Sequence, residues 1–162
     1  MKTMEERSVI HNTFVIERSY RATPERVFSA FADPAKKRRW FVESGGNEIE
    51  HYEMDFQVGG KERAQFRFKA GSPSPVQGLE YVNDTSYQVI VPNHRIVFAS
   101  RMNIGGRCIS ASLCTVELLP SDTGTDLIFT HQAAFFEGAD GPAMREEGWR
   151  GLFDRLSEEI AR

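Results

Sequence analysis

The chain has 162 residues, 40% of them hydrophobic and 27% charged, with a formal net charge of −3. A single domain of this length hides roughly 70% of its unfolded surface, so it folds without disulfides or a metal, and its apolar fraction excludes disorder. The slight acidity excludes a dedicated nucleic-acid binder, which needs a basic excess to displace phosphate counterions.

The first eighteen residues carry Glu5, Glu6, Arg7, His11 and Glu17, so they lack the apolar segment of a signal peptide. No stretch approaches the ~20 apolar residues of a membrane span. The expected location is therefore cytoplasmic, with residues 1–11 a flexible N-terminus and 12–162 one domain. Phe14, Ile16 and Tyr20 alternate with Val15, Glu17, Ser19 and Arg21, the period of a strand. Thr23-Pro24-Glu25 then opens a helix, with Thr23 as N-cap, Pro24 in the first helical position and Glu25 at the positive end of the dipole. Val27, Phe28 and Phe31 form its apolar face. It ends near Asp33-Pro34, and a short helical turn carries Ala35 to Trp40. The basic run Lys36-Lys37-Arg38-Arg39 reads as a solvated helix face rather than an anion or membrane patch.

From Asn47 to Gln132 the chain has strand character cut by turn signals. Gly59-Gly60 separates Glu48–Phe56 from Lys61–Ala70, and Gly71-Ser72-Pro73-Ser74-Pro75 is a loop. Asn83-Asp84 starts the next strand, Ser86–Val91; with Thr85 these residues spell an incidental glycosylation sequon. Pro92-Asn93 turns into Arg95–Asn103, Gly105-Gly106 marks a hairpin into Arg107–Leu118, and Ser121 to Gly124 turns into Thr125–Gln132. Connections this short make an antiparallel meander. Cys108 and Cys114 fit a reducing compartment; on one strand they lie ~20 Å apart and cannot pair within the chain. The period then changes: Trp149, Leu152, Phe153, Leu156 and Ile160 form one stripe of a helix over about Pro142–Ala161. A lone long helix must lay that stripe on the sheet.

This order of elements resembles the START-like (SRPBCC) superfamily of helix-grip domains. Within it, the chain resembles the bacterial group named for similarity to the C-terminal domain of the activator of Hsp90 ATPase. The strings that carry the likeness run from Arg18-Ser19-Tyr20-Arg21-Ala22-Thr23-Pro24-Glu25-Arg26-Val27-Phe28 through Asp33-Pro34 before Trp40 to Met54-Asp55-Phe56-Gln57-Val58-Gly59-Gly60. Val91-Pro92-Asn93-His94-Arg95-Ile96-Val97, Gly124-Thr125-Asp126-Leu127 and Gly148-Trp149 before Leu152 and Leu156 complete it, over about residues 12–161. One departure is Thr130-His131-Gln132, where relatives often carry an acidic residue in the middle. The resemblance implies an α+β helix-grip fold: a curved antiparallel sheet of about seven strands wrapped around the long C-terminal helix, two short helices after strand 1, and a cavity between sheet and helix. It implies no Hsp90 contact by this chain alone, because the single-domain bacterial proteins lack the activator's N-terminal Hsp90-binding region. A homodimer is left open.

The twelve phenylalanines have no polar handle and must fill a core or line a cavity. Phe66 and Phe68 share a strand face opposite Arg63, Gln65, Arg67 and Lys69. Phe98 shares one with Ile96, Ser100 and Met102, and Phe129 with Leu127 and His131. If these faces meet the Trp149/Phe153 stripe, then Phe66, Phe68, Phe98, Met102, Phe129, His131, Trp149 and Phe153 line the space under the helix. Gly148 and Gly151, on the N-terminal half of that helix, either hold open a mouth or let a strand approach, or else mark a frayed first turn. Arg101 has the parity opposite to Phe98 and faces solvent, whereas His131 has cavity parity. No Ser/His/Asp or Cys/His set, nucleophile elbow, phosphate loop or zinc spacing is present, so neither a cofactor nor a metal is expected. The expected function is binding of a small, mostly apolar ligand, with no nucleic-acid or membrane partner. The alternatives are a cyclase- or hydrolase-type enzyme using His131 with Glu147, and a chaperone-linked interaction module working through the convex sheet face.

Overall fold

The computed structural model describes residues 8–69 and 77–162. Most of the expected flexible N-terminus, and the loop Gly71–Pro75, lie outside the described residues; strand β1 has already begun at Ile10. The order is β1 (Ile10–Tyr20), α1 (Pro24–Ala32), α2 (Pro34–Lys37), a wide π-type turn (Arg38–Val42), a 3-10 turn (Glu43–Gly45), β2 (Glu48–Met54), β3 (Lys61–Arg67), β4 (Glu80–Val91), β5 (Arg95–Ile104), β6 (Arg107–Ser121), β7 (Gly124–Phe135) and α3 (Pro142–Ile160). Among the described residues no helix is long and apolar enough to cross a membrane.

Local chemistry sets the helical segment. The Thr23 hydroxyl accepts from the Arg26 amide at 3.3 Å, and Pro24 supplies the first helical residue. Asp33 closes α1 and caps α2, its carboxylate accepting from the amides of Ala35 at 2.9 Å and Lys36 at 3.3 Å. The Trp40 indole N–H donates to the Ala30 carbonyl at 2.8 Å, folding the π-type turn back onto α1.

The basic run on these turns is not a solvated face. Lys37 is buried, with its ammonium 3.1 Å from the equally buried Glu62 carboxylate and 4.5 Å from the Phe41 ring centre. Arg39 makes a two-bond fork to Glu159 near the end of α3, at 2.7 and 3.1 Å. The short helix and the turn that follows it pack against both sheet and long helix, so one cation from each meets a carboxylate on another element.

All seven strands form one antiparallel sheet in the order β1-β7-β6-β5-β4-β3-β2. The helical segment carries the chain from one edge of the sheet to the other, and everything after β2 is a meander. Register shifts at Ile49/His51, Tyr87/Val89 and Met102/Asn103 accompany the curvature. Gly124 fixes the start of the β1–β7 pairing, since a Cβ there would collide with the Tyr20 carbonyl. Strand β4 begins at Glu80 rather than at Ser86: Asn83 and Asp84 are poor strand formers, but pairing to both β3 and β5 overrides that preference.

The core fills the concave side. Phe14, Ile16, Leu127, Phe129, Val116 and Ile96 of the sheet pack against Val27 and Phe31 of α1, Trp40, and Phe153, Leu156 and Ile160 of α3. The C-terminal half of α3 therefore lies directly on the sheet. Its N-terminal half stands off, and the site is there.

Candidate functional site

Strand register lays out the concave floor as rows running across the sheet. One row is Phe14, His131, Cys114, Phe98 and Tyr87, on β1, β7, β6, β5 and β4. The next is Ala133, Ser112, Ser100, Thr85 and Glu62, and the next Phe135, Ser110, Met102, Asn83 and Ala64. A last short row holds Ile104, Tyr81 and Phe66. A polar band of hydroxyls and Asn83 thus separates an aromatic core from an aromatic end wall. Within it the Thr85 and Ser100 hydroxyls share a hydrogen bond of 2.8 Å.

Between the end wall and the raised half of α3 is a partly open cavity of about 370 Å³. Phe66, Phe68 and Tyr81 form its sheet side, with Phe66 and Tyr81 stacked at 5.2 Å between ring centres. Trp149 and Leu152 of α3 form its roof, and Phe41 of the π-type turn closes one flank. Gly148 lies at its rim, where an added Cβ would meet nothing within 4 Å. Arg155, one helical stripe away, also reaches the wall, and its Nε is buried without a hydrogen-bond partner.

Arg145 is the buried cation of the site. Its guanidinium donates two bonds to Asp140, both at 2.8 Å, and a third at 2.9 Å to the Ser110 hydroxyl. It also lies 5.0 Å from the centre of the Phe135 ring. This fork, with the Ser110 bond, holds the first turn of α3 to the sheet.

A smaller chamber of about 20 Å³ continues inward from the cavity, sharing Asn83, Met102, Arg145 and Trp149 with it. Its remaining lining is the polar band plus Cys114 and His131. His131 is fully buried and stacks on Phe14 at 4.5 Å, and its Nδ1 has no hydrogen-bond partner. Burial, reinforced by the Arg145 charge, lowers its pKa from 6.5 to about 4, so the imidazole is neutral near pH 7. Burial also pushes the Cys114 thiol up to about 12, leaving it protonated.

Of the residues expected to line one space, Phe66, Phe68, Met102 and Trp149 meet at the cavity, and His131 joins Met102 and Trp149 at the chamber. Phe98, Phe129 and Phe153 lie in the packed core instead, because α3 descends onto the sheet at Phe153. Arg101 is exposed. Glu147 is exposed too and lines neither space, so a His131–Glu147 acid–base pair is not assembled. Among the described residues no group of three or more His, Cys, Asp or Glu side chains could hold a metal. Sequence reasoning missed Arg145, although it stands one turn before Trp149 on the same helical stripe. It also missed Tyr81 and Asn83, through the late start given to β4, and Phe41, which only the π-type turn aims inward.

Residues 21–161 match the family described as activator of Hsp90 ATPase homolog 1-like protein. Among solved structures, a protein of Rhizobium loti (Mll3558) is 50% identical, with 94% of this chain and 99% of that one covered and a TM-score of 0.82. An uncharacterised protein of Rhizobium leguminosarum is 37% identical over 96% of this chain and 97% of its own, with a TM-score of 0.87. An AHSA1-like protein of Aeromonas hydrophila is 21% identical, over 93% and 92%, with a TM-score of 0.68; that likeness speaks to the fold. No curated protein matches.

Proposed function

The chain belongs to the family of activator of Hsp90 ATPase homolog 1-like proteins, within the START-like superfamily, and from that premise we propose that it binds a small, mostly apolar molecule between its sheet and the N-terminal half of α3. The observation that carries this reading is the 370 Å³ cavity, walled by Phe41, Phe66, Phe68, Tyr81 and Trp149 and touched by a few fixed polar groups. Ligand sites have this composition and span ~300–1,000 Å³. The driving force is apolar burial at ~25 cal/mol per Å², with Asn83 and the Arg145–Asp140 fork bordering the route inward.

Gly148 gives a test that spares the fold. The Cβ of a leucine there meets nothing within 4 Å, so the added side chain puts bulk at the cavity rim without a clash, and it also removes a helix-interior glycine that costs ~1 kcal/mol relative to alanine. Wild-type protein titrated with 8-anilinonaphthalene-1-sulfonate and with a library of apolar metabolites is expected to shift the Trp149 indole resonance and the amides of Phe66 and Tyr81. Gly148→Leu is expected to weaken that binding at least tenfold while unfolding at the same or higher urea concentration. If dye and library both leave the amide spectrum of the folded protein unchanged, ligand binding at this site is wrong.

A further inference from the structure

We infer that the chamber behind Trp149 is a head-group subsite for an uncharged hydroxyl carried on an aromatic body, with the His131 imidazole as its hydrogen-bond partner. The inference rests on the cavity being a ligand site and adds which ligands it selects.

The His131 imidazole lines the chamber, and a buried ring without a side-chain partner for its nitrogens loses their hydration with nothing in return, so this ring is where a ligand atom gains most. The chamber, at about 20 Å³, admits one group the size of a water molecule, for which ~10–15 Å³ suffices. A carboxylate or phosphate is larger than that. An anion would find no free cation there either, since Arg145 already spends two of its donors on Asp140 and another on Ser110. Transferring a charge into such a site without a partner is strongly unfavourable.

A hydroxyl suits the imidazole in either tautomer, donating to a bare ring nitrogen or accepting from a protonated one. The hydroxyls of Ser110 and Ser112, facing the same chamber, can complete its bonding. The remaining walls select the body. Phe66, Phe68, Tyr81 and Trp149 offer faces and edges to a flat ring system entering from the cavity.

Three probes of one shape separate the possibilities: naphthalene, 2-naphthol and 2-naphthoate, titrated against the whole protein and against His131→Phe by Trp149 fluorescence and calorimetry. Phenylalanine keeps an aromatic ring against Phe14 and removes both imidazole nitrogens. Wild type is expected to hold 2-naphthol about tenfold more tightly than naphthalene. His131→Phe is expected to erase that preference and to leave naphthalene and 2-naphthoate within about twofold of wild type. In parallel, a ring-nitrogen resonance of His131 in the wild type is expected to move with 2-naphthol and stay still with naphthalene, which decides the matter even if the variant does not fold. Equal binding of naphthalene and 2-naphthol, or a naphthol preference that survives in His131→Phe, overturns the head-group subsite and leaves the cavity reading intact. Binding of none of the three overturns both.

Discussion

At the scale of single residues, the informative side chain is His131, because its burial has a measurable consequence beyond the ligand. The titratable and charged groups that face it are Cys114 across the β6–β7 pair, and Arg145 and Asp140 at the start of α3; from β1 it meets the ring of Phe14. Cys114 stays a thiol through the acid range, while the Arg145 charge lowers the His131 pKa and Asp140 opposes it. The unfolded chain takes up a proton at His131 near pH 6.5, whereas the folded one resists until about pH 4. Between these values the unfolded state binds more protons, so folding stability rises with pH. The stability from a neutral His131 is fully present above pH 6.5 and is lost on acidification toward pH 4, at ~1.4 kcal/mol per pH unit at most. Urea unfolding followed from pH 7 to 4 should show this slope in the wild type and a shallower one in His131→Phe. Parallel pH profiles would mean that the imidazole is hydrated and protonates normally.

Among elements, the decisive joint is between α2 and the sheet. Glu62 of β3 is buried with three partners: the Lys37 ammonium at 3.1 Å, the Tyr87 hydroxyl at 2.8 Å and the Tyr52 hydroxyl at 2.6 Å. Burial, with the neighbouring Glu62 charge, pushes both tyrosine pKa values far up, so both hydroxyls remain donors. Losing the lysine leaves a buried carboxylate without a counter-charge, and breaking a buried pair from one side costs ~3–5 kcal/mol. Lys37→Met should lose about that much in urea, and Lys37→Met with Glu62→Gln should recover part of it. A loss below ~1 kcal/mol in the single variant would show that the pair behaves as a solvated surface bridge. This joint also marks what could be read from sequence. Strand alternation around Phe66 and Phe98, the Thr23-Pro24 cap and the Trp149-to-Ile160 stripe are local patterns, and they place strands, first helix and long helix correctly. The Lys37–Glu62 pair joins residues in different elements, and the hydroxyl row Ser112, Ser100 and Thr85 exists only once register aligns three strands. Composition sees lysines and serines at such positions; only tertiary pairing makes one a buried clamp and the others a chamber floor. Phe129 and Phe153 show the same limit from the apolar side, since parity gives the face and not the height of the helix above it.

For the molecule as a whole, the long helix is anchored unevenly, and that asymmetry predicts where it opens. Its C-terminal half is tied by Arg18 to Asp154 at 2.6 Å and by the Arg39 fork to Glu159, over the buried side chains of Phe153, Leu156 and Ile160. Its N-terminal half begins at Gly141, which offers no side-chain cap, and runs over the cavity with Met144 64% exposed and Gly148 at the rim. The Arg145 fork to Asp140 and Ser110 is a polar tie there, joined at its end by the Arg18 guanidinium donating to the Arg150 carbonyl at 3.2 Å. Local opening is easiest where few apolar contacts must be broken, so the first turns should open well below the global unfolding free energy. Amide hydrogen exchange at Glu146–Arg150 is accordingly expected to run at least tenfold faster than at Phe153–Ile160. Saturating 2-naphthol should slow the first group and leave the second unchanged, because a ligand under Trp149 adds the contacts that half lacks. Uniform exchange along α3, with or without 2-naphthol, would mean that the helix moves as one rigid piece and that entry to the cavity does not pass through its first turns.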